Sequence, residues 1–263
     1  MEIRIAHMTQ DEVGAVAREG RMVIVPTGAT ESHGPHMPTD TDSHQADHMA
    51  ISLAKRVDAV VAPTLSYGIS KTFERFPGTV SLSIPVYQEV LYEVGSALVK
   101  QGFQSLLFLN GNRPNGTSND AVARRLVDDL DEAYEFTVTA VSYWEPGATK
   151  IHAMRSSEVG GMGHGGEFET AFQLATRPEL VKMDRIKNIE PPLVGWDLSA
   201  PGDPNRTYGR RPDPEDGHPS IFGAPKHATA ESGVRFIDAA VEGLVDMIEN
   251  LQGSYQSRSV SQN

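Results

Sequence analysis

The sequence predicts an α/β fold built on a mostly parallel sheet with helices over both faces. Short all-apolar runs such as "MVIVP" and "LLFLN" alternate with longer segments whose apolar residues recur at helical spacing, and strands connected through helices pair in parallel. Both runs also stop abruptly in polar loops, "TGATESHG" and "NGNRPNG". In folds of this class ligands gather outside the carboxyl ends of the strands, so the two loops should deliver their side chains to one rim.

Taken in order, Met22 to Val25 form the first strand, ended by Pro26, and a helix from about Ser43 to Arg56 follows the first polar loop. "DAVVAPTLSYG" is a short buried strand running into a loop, and "GTVSLSIP" alternates as a strand does. "VYQEVLYEVGSALVKQGF" is helical, with Gly102 near its end. Next come the strand in "SLLFLN", a helix near Asn119 to Leu130, a strand in "EFTVTAVSYW", a helix in "EFETAFQLAT" and a long amphipathic helix in "SGVRFIDAAVEGLVDMIENLQ". Residues 185–229, with their Pro, Gly, Asp and Arg, read as a long irregular excursion, the usual form of a lid or an oligomer contact. A single core can serve a chain of 263 residues, so one domain is expected over 1–253, with 254–263 a flexible tail.

Composition narrows the chemistry. With no cysteine there is neither a disulfide nor a thiolate ligand, so a bound metal must sit among His, Asp and Glu, which favours Zn, Mn or Fe in a hydrolytic role. A formal charge of −12 without a Lys/Arg cluster argues against nucleic acid or an anionic membrane as partner and leaves a small molecule as the expected substrate. No apolar run approaches the roughly 18 residues of a membrane span. The start "MEIRIAHMTQDEV" lacks a basic stretch followed by an apolar one, which makes the cytoplasm the expected location.

The segment "TGATESHGPHMPTDTDSHQADH", residues 27–48, concentrates ligand-type side chains where they cannot serve a core. Glu31 and His33 sit in a loop that Gly34 and Pro35 can bend. Asp42, at the start of a helix, can cap backbone N–H groups or bridge two cations. A charged surface turn with an N-cap is the alternative reading of all three. His44 and His48 share a helix face and resemble the "HExxH" zinc pattern, but Gln45 replaces its general base, and a plain helix-surface pair is the simpler account. His36 can orient a ligand or be an ordinary loop histidine. A second cluster, "VGGMGHGGEFETAFQLA", holds His164, Glu167 and Glu169. Helix-dipole stabilisation alone can explain both glutamates. Five glycines within seven residues ask for close backbone approach to a ligand or ion.

In order and spacing, "VPTGATESHGPHMPTDTD", "FPGTVSLS", the "NG" at Asn110 and Gly111, and "GHGGEFETA" resemble the creatininase (creatinine amidohydrolase) family over roughly residues 20–175. The resemblance implies a three-layer α/β/α sandwich, a metal centre at the strand ends, usually binuclear, and a homo-oligomer, commonly a hexamer. It places metal ligands at Glu31, His33 and Asp42. Where the family has a histidine ligand this chain has Asn112, which binds transition metals more weakly or contacts substrate, and a further family glutamate is replaced by Pro114. The resemblance then implies Glu167 as the ligand that completes one strong site with His33 and Asp42, leaving the second site in doubt. His164 resembles the family histidine near the substrate, and would donate a proton or stabilise an oxyanion, with Glu169 orienting it or a metal ligand. Arg113 can pair with a substrate carboxylate or form an ordinary surface ion pair. The tryptophans that enclose creatinine have no counterparts near Gly160 and Gly161, Trp144 being the nearest, so creatinine itself is not expected as substrate.

The implied function is metal-dependent hydrolysis in which metal-bound water attacks the carbonyl of a small cyclic amide or formamide, with Zn first among the ions. Two alternatives remain. One is hydrolytic ring opening of a cyclic polyol ketone in a polar pocket lined by Asn112, Arg113 and Asn115. The other is a metal-depleted relative that only binds a metabolite.

Overall fold

The computed structural model describes residues 2–186 and 211–260, with side chains described up to Leu251. Strands β1 (Met22–Thr27), β2 (Ala59–Val61), β3 (Ser105–Asn110) and β4 (Thr137–Ser142) form one sheet in the order β2-β1-β3-β4, with every neighbouring pair parallel. The helices are α1 (Gln10–Arg18), α2 (Thr41–Ala54), α3 (Ile84–Lys100), α4 (Gly116–Leu130), α5 (Ala148–Met154), α6 (Glu167–Thr176) and α7 (Ala230–Val260).

The period-2 alternation of the strands divides the interior in two. Ile24, Leu107 and Leu109 face a core completed by Met49 and Leu53 of α2, Phe168 and Phe172 of α6, and Phe236 and Leu244 of α7. Val23, Val25, Leu106 and Phe108 face the other way, onto Tyr87 and Leu91 of α3, Val122 and Leu126 of α4, and Val16 of α1. The result is the three-layer α/β/α sandwich. Each fully buried Leu or Phe contributes about 1.5–3 kcal/mol, so both faces of the sheet are pinned and its register is fixed.

From β1 the chain crosses through α2 to β2 on one side, then returns through α3 to β3 on the other. The strand order therefore reverses between β1 and β3, and a crevice opens at their carboxyl ends. Gly111, just beyond β3, lets α2 close over that crevice: a Cβ there would lie 2.6 Å from the carbonyl oxygen of Asp42.

Several expectations shift by a few residues, and some fail. Pro26 lies inside β1, opposite Leu109 of β3. Its carbonyl accepts from Leu65 on the β2 side, where strand pairing has already ended at Val61. The missing N–H thus costs no ladder bond. "GTVSLSIP" forms no strand; it makes a single antiparallel bridge, Val80 to Thr30, and its last two residues open α3 with Pro85 in the first turn. Two helices escaped the sequence reading. α1 has a legible signal in "TQDE", since Thr9 and Glu12 form a reciprocal capping box. α5 is a short helix with no such cap. Helix α7 runs on to Val260, so the stretch read as a tail begins as helix. Most of the irregular excursion, 187–210, lies outside the described residues.

Candidate metal centre

Three segments meet in the crevice. The loop after β1 brings Glu31 and His33, the first turn of α2 brings Asp42, and the glycine-rich loop with the first turn of α6 brings His164 and Glu169; all five are at least nine-tenths buried. The loop is held by backbone and side-chain bonds: Glu31 N donates to Thr39 O at 2.9 Å, and Ser32 N to Thr79 Oγ1 at 2.9 Å. Thr79 belongs to the "FPGT" stretch, whose role is thus to brace the ligand loop. His33 Nδ1 lies 3.1 Å from the carbonyl oxygen of Glu31, which fixes its proton there and turns Nε2 inward.

Inside, His33 Nε2 is 2.9 Å from Asp42 Oδ1 and 3.6 Å from Glu169 Oε2. His164 Nδ1 faces Glu31 Oε1 at 3.3 Å. The two imidazoles lie close, with ring centroids 4.1 Å apart. His164 is itself fixed on two sides: Nε2 lies 2.8 Å from Ser32 O, and its ring stacks on Phe73 at 3.9 Å and 12°. Gly165, with φ 64°, turns its N–H onto Glu169 Oε2 at 2.6 Å. A residue with a Cβ adopts that backbone conformation only at a cost.

Burial makes this cluster electrostatically expensive. Desolvation, then the charge of Asp42, pushes the Glu31 carboxyl up to about 8. Desolvation likewise raises Asp42 to about 6, against the opposing pull of His33. For His33 burial disfavours the charged form, but Asp42 and Glu169 outweigh it and hold the imidazole well above its usual range. His164 is driven well below its range, by burial first and the charge of His33 second.

The donor set fits a divalent cation. Glu31 Oε2, His33 Nε2 and Asp42 Oδ2 are buried without a hydrogen-bond partner, although such groups cost about 1–3 kcal/mol or more when left unsatisfied. One ligand atom from each of His33, Asp42 and Glu169 lies within 4.8 Å of the others, and the same holds for Glu31, His33 and His164. Imidazole nitrogen with carboxylate oxygen is the donor chemistry of Zn, Mn and Fe sites.

A family model described as creatinine amidohydrolase matches residues 6–248. The chain belongs to the creatininase family. The chain is 27% identical to creatinine amidohydrolase of Pseudomonas putida, over 93% of this chain and 95% of the relative. It is 32% identical to the mycofactocin precursor peptide peptidase of Mycolicibacterium smegmatis, over 88% and 85%. With the 3-dehydro-scyllo-inosose hydrolase of Thermotoga maritima it shares 25% over 70% of this chain and 59% of that one. Among solved structures, a manganese creatininase superposes with a TM-score of 0.81 at 25% identity, and a mutant creatininase of Zn–Zn type with 0.80 at 26%; each match covers 95% of this chain and 98% of the other.

Against the creatininase-family expectation, the structure exchanges the two glutamates of α6. Glu169 joins His33 and Asp42, whereas Glu167 faces the other way, its oxygens accepting from Ser156 N at 2.8 Å and Ser157 N at 2.7 Å. Two residues on a helix turn the side chain by about 200°, so one of the pair must leave the crevice. Glu167 is therefore a buried brace for the 156–157 turn, and Glu169 is the ligand candidate rather than an orienting residue. The amide nitrogen of Asn112 is committed: Nδ2 donates to Ile69 O at 3.1 Å and Asn115 Oδ1 at 3.1 Å. Asn115 is spent likewise, accepting from Ile69 N and donating to Gly28 O. Arg113 heads the turn after β3, half-buried at the same rim.

Other histidines fall outside the centre. His44 and His48 pack on Phe172 of α6, with His44 Nε2 3.0 Å from Thr176 Oγ1. His36 Nε2 lies 3.0 Å from Thr170 Oγ1 and ties the ligand loop to α6. Trp144 is buried in the core against Tyr143. The ring stacked on His164 is instead Phe73, which begins a chain of ring contacts through Phe76, Phe222 and His218, with centroids between 3.9 and 6.3 Å apart. Residue-by-residue reading missed them because they come from two segments far apart in sequence. The glycine-rich loop also has a structural use, since Gly166 packs backbone to backbone on Gly223.

Proposed function

We propose that this creatininase-family hydrolase cleaves the C–N bond of a small cyclic amide or formamide, using a divalent ion held by His33, Asp42 and Glu169. The carrying observation is the convergence of those three buried side chains, with unpartnered donor atoms on His33 and Asp42, at the strand-order reversal. Such an ion, when bound, polarises a carbonyl and makes water nucleophilic near neutral pH. The chain's own residues prepare the site for it. Glu31 O fixes the tautomer of His33, Gly165 N–H orients Glu169, and Phe73 shields one face of His164 from water. The intact cluster also favours an enzyme over a metal-depleted binder, because His33, Asp42 and Glu169 converge without needing a ligand from Asn112, the departure that suggested decay.

Between the two hydrolytic readings, the surroundings favour the amide. A hydroxyl-rich ketone needs free hydrogen-bonding side chains, and Asn115 and the amide nitrogen of Asn112 are committed to the backbone and to each other. The rings of Phe73, Phe76 and Phe222 suit a flat, weakly polar group. A small substrate is in keeping with the buried site. Ile84, Val86 and Val90 leave an exposed apolar stretch on α3 that supports the reading of a homo-oligomer. Among the described residues no helix is long and apolar enough to cross a membrane.

The test is a panel of lactams, formamides, short peptides and cyclic polyol ketones assayed with protein reconstituted in Zn or Mn. Turnover of lactams or formamides, abolished by chelator and restored by metal, is the expected result. Turnover confined to the ketones or to peptides overturns the choice of bond.

A further inference from the structure

We infer that Arg177, at the carboxyl cap of α6, is a positioning residue for the metal centre: acting through Asp40 and Gln173, it sets the distance at which Asp42 of α2 and Glu169 of α6 face each other. This rests on the ion held by His33, Asp42 and Glu169 proposed above. Two of those ligands stand on different helices, so the span between their carboxylates is only as fixed as the seam between α2 and α6. Apolar burial is non-directional and by itself lets one helix slip on the other. Hydrogen bonds between particular atoms do not.

Such bonds run the length of the seam. Glu169, Gln173 and Arg177 recur every four residues, which sets them along one side of α6 and its cap. At the crevice end the carbonyl oxygen of Glu169 accepts from Gln45 Nε2 at 3.3 Å, and Gln45 Oε1 accepts from the Tyr143 hydroxyl at 2.9 Å. One turn on, Gln173 Nε2 donates to the carbonyl oxygen of Thr41 at 3.4 Å. At the far end Arg177 holds both oxygens of Asp40, through Nη1 at 2.7 Å and Nη2 at 2.9 Å. Its Nε and Nη2 also donate to Gln173 Oε1 at 3.2 and 3.0 Å, which leaves the Gln173 amide nitrogen for Thr41. The guanidinium thus fixes Asp40 directly and Thr41 through Gln173, and these are the two residues that lead into Asp42. Asp40 stands at the N-cap of α2, where an aspartate usually accepts from its own helix, yet its side chain makes no capping bond. Its carboxylate is turned across the seam instead. Lysine could not replace the planar fork that meets Asp40 and Gln173 together.

The experiment measures the affinity of the full chain for Zn and Mn by competition with a chromophoric chelator, and the visible spectrum of the Co-loaded protein, well below every melting temperature. Arg177→Gln should bind metal about 10- to 100-fold more weakly, the range typical of lost supporting groups, and should shift the Co bands. Arg177→Lys should recover only part of the loss. Asp40→Ala, which removes no capping bond, should match Arg177→Gln, and the double variant should bind no more weakly than either alone, since both remove one contact. Arg125→Gln, which breaks an exposed ion pair with Glu89 between α4 and α3, should keep the wild-type affinity and spectrum whatever its melting temperature. Unchanged affinity and Co bands in Arg177→Gln overturn the positioning role and leave the hydrolase reading standing. An equal loss in Arg125→Gln overturns it too, by assigning the effect to general loosening. A wild type that binds none of these ions overturns the hydrolase reading and the positioning role with it.

Discussion

The loop after β1 and the first turn of α6 both carry two ligand-type residues two positions apart, and they distribute them differently. In the loop, Glu31 and His33 converge on one cavity because Ser32 N and Glu31 N are tied to Thr79 and Thr39, which bends the backbone between them. In α6 the helix fixes the angle, and Glu167 and Glu169 end on opposite sides. A loop can gather neighbours into one cluster, whereas a regular helix sends every second residue away. The acid that leaves the crevice is put to use, since Glu167 accepts from the backbone N–H groups of Ser156 and the buried Ser157.

The sharpest way to break this comparison is to remove each glutamate in turn. Glu169→Ala should lower metal content and reduce turnover by more than the roughly 10- to 100-fold typical of lost supporting groups around a metal, while the fold survives. Glu167→Ala should do the reverse. Hydrogen bonds to a charged group are worth about 1.5–3 kcal/mol each, so losing both should lower the melting temperature by on the order of 10 °C at this chain length. Metal content measured on the folded fraction should stay at the wild-type level. If Glu167→Ala loses its metal while melting normally, the assignment of the two faces is reversed.

Next in size is removal of the ion. A ligand bound only by the folded state stabilises it by about 2.7 kcal/mol at a hundredfold excess over its dissociation constant. Chelation should therefore lower the melting temperature by roughly 5–10 °C, and Asp42→Asn, which lacks one ligand, should show a smaller loss on chelation than the wild type. An unchanged melt would mean that loop and helix hold their geometry without metal and that nothing binds between them.

How much of this was legible follows from the same contrast. The alternation of apolar strands and amphipathic helices announced the sheet, because burial on both faces leaves a period that sequence displays directly. Glu31, His33 and Asp42 were legible because they lie in one short segment. The choice between Glu167 and Glu169 depends on where α6 starts, and a shift of one residue changes which side faces the crevice. The bond from the Asn112 amide nitrogen to Ile69 O was not legible either, since Ile69 lies 43 positions away in sequence. Pro26 was read as a strand end, yet it survives within β1 because the neighbouring strand has finished there.

A smaller effect separates the histidines of the centre from those beside it. His44→Ala and His48→Ala should leave metal content unchanged, since both rings pack on Phe172 on the far side of α2. Equilibrium unfolding should register a loss near 1 kcal/mol for His44, whose bond to Thr176 Oγ1 goes with it. Loss of an ion in either variant would bring the "HQADH" pair into the centre.

The last expected effect appears only in acid. Burial lowers His36 from 6.5 to about 4, so the folded chain refuses a proton that the unfolded chain accepts in that interval. For a base with a depressed folded pKa, stability is fully present above about 6.5 and is lost as pH falls towards 4. His36→Gln should therefore flatten the stability profile between those limits, with the neutral amide still able to reach Thr170 Oγ1. Denaturant midpoints at a few pH values check it against the wild type. The same slope in both proteins would mean that the acid loss arises at groups other than His36, and the bond from His36 to α6 would then carry no proton linkage.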